Sequence, residues 1–76
     1  MVVFMEYDQF YRNLGKRIKE LRERTGLSQE KFAEKAGISQ DFLGKIEVCI
    51  NRPGLKSILK IADALGVSVS ELTKFD

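Results

Sequence analysis

Histidine is absent from this chain of 76 residues, and cysteine and proline each occur once. One cysteine excludes a disulfide within the chain. With no histidine beside it, a set of zinc ligands cannot be assembled either. No Gly-rich phosphate loop is present, and so short a chain leaves little room to enclose a pocket, so it reads as a non-enzyme with no metal, no cofactor and no small-molecule ligand. Long apolar runs are missing too. Nothing approaches the 18 residues of a membrane span, and the apolar patch Met1 to Met5 is too short and too little charged upstream for a signal peptide. A soluble protein of a reducing, cytoplasmic compartment, with no membrane partner, is the expectation.

A chain of this length is expected to form a single domain over residues 1–76, with a small core. Lacking metal and disulfide, it must be stabilised by compact helix packing or by oligomerisation. The net charge is only +2, yet it is unevenly spread. Between residues 10 and 60, twelve Lys and Arg face six Asp and Glu, while residues 1–9 and 61–76 are both net acidic. A basic centre between acidic ends is the footprint of a surface that meets nucleic acid, although a merely solvated surface has the same composition.

The chain is organised around Ser28 to Val48, which reads as helix, turn, helix. Ser28 and Ser39 stand where an N-cap is wanted, and Gly37 punctuates between them. Two short helices crossing over a tight turn need a small residue where their backbones approach, and Ala33 supplies it. The turn needs a residue that tolerates positive φ, and Gly37 does so without steric cost. Leu43 and Ile46, three apart, share one face. The spacing predicts helices over 29–35 and 40–47.

Upstream, Phe10 or Tyr11, Leu14, Ile18 and Leu21 form the stripe of a helix from about Asp8, ended by Gly26. Residues 1–6 precede it as an N-terminal arm, either a loose tail or a packed one. After the motif, Pro53 marks residues 48–54 as a loop. A fourth helix from Leu55 to Leu65 carries Leu55, Ile58, Leu59, Ala62 and Leu65 as its stripe, widened by Ile61 and closed by Gly66. Ser68 and Glu71 fit a capping box, opening a fifth helix with Val69, Leu72 and Phe75 on one side.

These residues resemble the helix-turn-helix of the Cro and phage-repressor type, the XRE family, over about residues 10–75. The likeness is carried by Leu21-Arg22, by Gly26-Leu27-Ser28-Gln29-Glu30, by Ile46-Glu47, by Asn51-Arg52-Pro53 and by Ala62-Asp63-Ala64-Leu65-Gly66-Val67-Ser68. It implies an all-α fold, a five-helix lambda-repressor-like bundle, and a sequence-specific regulator of transcription bound to double-stranded DNA. Gln40, Asp41, Gly44 and Lys45, outside the Leu43/Ile46 face, would then read bases in the major groove. Gln suits adenine, Lys suits guanine and Asp accepts from cytosine. Gly44 departs from the polar residue usual there; it either allows close approach or is a tolerated weak position. Phe42 either covers the core or touches a thymine methyl.

Phosphate contacts are expected from Ser28, Gln29 and Ser39 at helix N-termini and from Asn51, Arg52 and Lys56 beyond the third helix, with Lys31 and Arg12 as weaker candidates. By resemblance, Arg22 and Glu47 form a structural ion pair. The segment Val48-Cys49-Ile50 departs most from the family, which has a glycine in this loop. Cys49 could adopt positive φ only with strain, so a longer helix or another loop shape is expected. One recognition helix reads only about 4–6 base pairs, so a homodimer on a palindromic operator, acting as a repressor, is inferred. Its seam is placed on Val69, Leu72 and Phe75, with the N-terminal arm as a second element. The rival reading is a protein-interaction module of the same fold, such as an antitoxin or a partner-dependent regulator.

Overall fold

A computed structural model describes residues 3–75, with side chains from residue 7 onward. Among the described residues all regular structure is helical: α1 (Val3–Thr25), α2 (Gln29–Ala36), α3 (Gln40–Glu47), α4 (Leu55–Leu65) and α5 (Val69–Leu72). The long α1 lies against α3, α4 and α5, while α2 packs on α3 and α4. Leu14, Ile18, Phe32, Leu43, Ile46, Ile61 and Leu72 meet in the middle with essentially no surface left to solvent. Burying a side chain of this size contributes about 1.5–3 kcal/mol, so these seven positions carry the core of a small domain.

The caps fall where the sequence places them. Ser28 Oγ accepts from the Lys31 amide and Ser39 Oγ from the Phe42 amide. In the capping box the Glu71 amide donates to Ser68 Oγ at 3.0 Å, while the Ser68 amide donates back to Glu71 Oε1 at 3.1 Å. These bonds to Ser68 hold the Glu71 carboxyl below its ordinary value of 4.5.

Four expectations are corrected. The N-terminal arm is helix from Val3, because α1 starts well before Asp8; Met1 and Val2 lie outside the described residues. The buried side of α4 is rotated toward Ile61 and Ala64, where α1 and α2 lie, so Leu55 and Leu59 of the expected stripe are exposed. Leu72, expected in a dimer seam, is fully buried within the chain and has no surface to offer one. Phe75 is likewise engaged within the chain, its ring edge-on to Phe10 at 5.5 Å, and Val69 is half-buried against the core.

The fourth correction concerns the end of α3. The helix neither lengthens nor changes its exit: Cys49 itself takes φ +65°. Its amide bonds the Ile46 carbonyl and the Ile50 amide bonds the Lys45 carbonyl, the paired closure that a glycine ordinarily makes. Holding a non-glycine residue there costs on the order of 1–2 kcal/mol. Its thiol points back to α1, donating to the Tyr11 carbonyl at 3.5 Å.

That contact depends on Gly15, midway along α1. A methyl group at 15 would stand 2.5 Å from the Ile46 carbonyl oxygen and 3.2 Å from Cys49 Sγ, so α1 can lie on the end of α3 only while residue 15 has no side chain. Gly44 is different. A methyl there would rest on the Gln29 amide at 3.5 Å, an ordinary contact, so packing within the chain does not demand glycine.

Gly15→Ala lowers the unfolding free energy by about 1–3 kcal/mol, as overpacking does, whereas Gly44→Ala raises it by about 0.5–1 kcal/mol, the gain of helix propensity alone. Urea denaturation decides, and equal signs at the two positions would overturn the packing account. For Glu71, a depressed folded-state value means that its stabilisation is complete above the unfolded value near 4.5 and is lost as the pH falls through the lower folded value. The stability difference between wild type and Glu71→Gln therefore narrows below that pH; a difference that stays constant down to pH 2.5 would contradict it.

Candidate nucleic-acid interface

One buried carboxylate ties the motif together. Glu47, at the last turn of α3, accepts from Arg22 Nε at 2.7 Å through Oε2 and from Arg22 Nη2 at 3.0 Å through Oε1. The same Oε1 accepts from Gln29 Nε2, the first residue of α2, at 2.9 Å. Arg22 Nη1 in turn donates to the Leu27 carbonyl at 3.0 Å, in the turn before α2. The side chains of Arg22 and Glu47 are only 9% and 1% exposed. Hydrogen bonding to Glu47 raises the Arg22 guanidinium above its usual range despite burial, which pulls the other way. One ion pair thus spans α1 and α3, and its oxygen fixes the side chain that opens α2.

The residues expected to read bases come together around that point. Gln40, Asp41, Gly44 and Lys45 of α3 and Gln29 of α2 line an open depression of about 400 Å³. Lys45 Nζ stands 3.0 Å from Asp41 Oδ2, one helical turn away, and both side chains remain well exposed. Of these, the Gln29 side chain is held by Glu47. Phe42 is half-buried and packs on the core.

The expected phosphate contacts form two groups. Ser28 and Ser39 are exposed caps, and each leaves a hydroxyl proton for an outside acceptor. Beyond α3, Asn51 is half-buried with its amide on the Lys45 carbonyl, and Lys56 is exposed in the first turn of α4. Arg52 is engaged within the chain. Its Nη2 makes an ion pair with Asp8 Oδ1, and its guanidinium lies over the Tyr11 ring, 5.0 Å from the centroid.

Sequence reasoning missed three participants. Gly15 could have been suspected, since a mid-helix glycine costs about 1 kcal/mol and so signals close approach. The bond from Gln29 to Glu47 could have been suspected once Arg22 and Glu47 were paired. The contact of Asp8 with Arg52, 44 positions apart in the chain, has no local signal. Among the described residues Tyr7, Val48, Ile50, Leu55 and Leu59 are large apolar side chains left exposed. No helix among the described residues is long and apolar enough to cross a membrane.

A bundle in which a capped pair of short helices presents polar side chains from the start of the second defines the helix-turn-helix class. Comparison with known proteins agrees: a helix-turn-helix family model matches residues 18–72. The chain belongs to the Cro-type, or XRE, helix-turn-helix family. It is 38% identical over 60 residues to an SPbeta prophage-derived uncharacterized HTH-type transcriptional regulator, YonR, of Bacillus subtilis, covering 79% of this chain and 56% of that protein. It is 39% identical over 59 residues to the immunity repressor protein of Bacillus phage phi105, covering 78% and 41%. The chain thus spans about half the length of these relatives. Among solved structures it resembles the restriction-modification controller protein C.AhdI from Aeromonas hydrophila, with a TM-score of 0.79 and 37% identity over 82% of this chain and 94% of that one.

The buried pair yields a prediction. Arg22→Met alone leaves a buried carboxylate short of its partner and lowers stability by about 3–5 kcal/mol, while adding Glu47→Leu restores most of the loss. Thermal unfolding of the single and double variants checks it; a double variant as unstable as the single would show that the pair itself, not the stranded charge, carries the stability.

Proposed function

We propose that this chain is a sequence-specific, double-stranded DNA-binding regulator of transcription, a repressor that acts as a homodimer on a palindromic operator. The observation that carries this reading is the convergence of Gln29, Gln40, Asp41, Gly44 and Lys45 on one open polar depression at the N-terminal end of α3. That end of a recognition helix enters the major groove, where Gln, Lys and Asp match adenine, guanine and cytosine edges. Ser28, Gln29 and Ser39 at the two helix starts, with Asn51, Arg52 and Lys56 beyond α3, supply donors for the flanking phosphates. The likeness to the immunity repressor of phage phi105 supports the direction of regulation. Two-fold pairing would set half-sites about 34 Å apart. With Leu72 withdrawn into the core, the apolar surface left for a seam is Leu55 and Leu59 of α4 together with the half-buried Val69 and Phe75.

A protein-interaction module is the second reading, favoured by the exposed Val48 and Ile50 beside the motif. Selection from a random-sequence duplex library, followed by salt titration of the winner against unselected DNA, separates the two. The DNA reading expects an enriched palindrome; only weak binding that is equal for all sequences and vanishes with salt would favour the protein partner.

Side-chain roles divide in the same assay. Lys45→Ala should shift the preferred base at one position per half-site, by about 1–3 kcal/mol of discrimination. Gln29→Ala and Arg52→Ala should instead weaken binding to all duplexes alike. The reverse pattern would overturn the role assignments.

A further inference from the structure

We propose that Asp8 and Tyr11 of α1 are affinity-setting residues of the DNA interface, holding Arg52 in a stowed position that phosphate must displace. The inference rests on the DNA reading above. Arg52 is the phosphate candidate whose charge is already engaged. One edge of its guanidinium is taken by the Asp8 carboxylate and one face by the Tyr11 ring at 5.0 Å. The ring keeps the cation close by cation–π attraction, and the carboxylate competes with any phosphate for the same donors.

Both contacts come from the first turns of α1, before the segment 18–72 that matches the family model. Two physical consequences meet at Asp8. It neutralises a cation beside the recognition helix in the free protein, and once Arg52 leaves, it stands as a bare anion near the duplex. The ion pair is half-exposed, with side chains 54% and 47% accessible, so it is weak enough for phosphate to break and strong enough to tax binding. The device lowers affinity for every DNA sequence equally, because phosphate contacts carry no base information.

The test is a double-mutant cycle on the selected duplex and on unselected DNA. Asp8→Asn in the otherwise native chain should tighten binding to both by about twofold to fivefold, the scale of an exposed ion pair. In an Arg52→Ala background the same substitution should tighten binding by clearly less, because only the repulsion between Asp8 and the duplex is then relieved. Tightening of equal size without Arg52 would mean that Asp8 acts only through its own field, and weaker binding by Asp8→Asn would mean that it aims Arg52 at phosphate; either overturns the proposal. Tyr11→Leu, which keeps the packing but removes the aromatic face, should reproduce a smaller tightening. If wild type bound its duplex and none of these changes appeared, only this inference would fall. If wild type bound no duplex at all, the DNA reading would fall and this would fall with it.

Discussion

The Glu47 carboxylate is the point on which the geometry of the motif depends. It is 1% exposed and accepts three hydrogen bonds, two from Arg22 on α1 and one from Gln29 on α2. A buried ion pair gives little net stability, since removing the two charges from water offsets their attraction. What it supplies is a fixed arrangement. Leu and Ile contacts tolerate sliding and rotation of one helix on another, whereas a bidentate guanidinium–carboxylate pair permits one register. α3 is therefore held at its C-terminal end from two sides, by α1 through Arg22 and by the start of α2 through Gln29. Glu47 thereby links Arg22 of α1 to Gln29, which lines the depression.

A second constraint works at that same C-terminal end. The Ile46 and Glu47 carbonyls approach α1 so closely that residue 15 must be glycine, and the chain then leaves α3 through Cys49 in a left-handed conformation. Both features cost free energy, and both are repaid by the approach itself, which brings the Cys49 thiol onto the Tyr11 carbonyl and stands Tyr11 beneath Arg52. Strain at Cys49 is thus part of the device that puts the post-helix loop against the first turns of α1. Glycine would relieve the backbone and lose the sulfur contact, which explains how a loop of the family shape survives a non-glycine residue.

What could be read in the sequence was local. N-caps, the glycine closures and the capping box depend on residues three or four apart, so Ser28, Ser39 and the Ser68/Glu71 pair mark the starts of α2, α3 and α5, and Gly37 and Gly66 the ends of α2 and α4, to within a residue. The candidate site was legible for the same reason: the face of α3 left over from Leu43 and Ile46 is fixed by helical period. What failed depended on distance. The rotation of α4 follows from where α1 and α2 lie, not from its own pattern, which is why Leu55 and Leu59 were placed on the core side. Leu72 was assigned outward because a one-turn helix has too little period to define a face. The start of α1 was missed because an apolar run such as Val2 to Met5 carries no polar alternation to mark a helix.

Charge pairing bears on specificity. Net charge of +2 is small for a chain read as meeting DNA, and of the cations near the recognition helix, Lys45 is paired with Asp41 and Arg52 with Asp8. On the DNA-binding reading, these pairs change what a random sequence offers. A phosphate can replace the carboxylate partner of either cation, but it then leaves an unpaired aspartate in the negative field of the duplex, so the exchange gains little. A guanine–cytosine pair is different. Guanine N7 and O6 accept from Lys45 while cytosine N4 donates to Asp41, so both members of the broken pair are satisfied at once. On that reading the Lys45–Asp41 pair rewards the right base edge and penalises mere proximity to the backbone, and the low net charge keeps the electrostatic attraction that all sequences share from masking that difference.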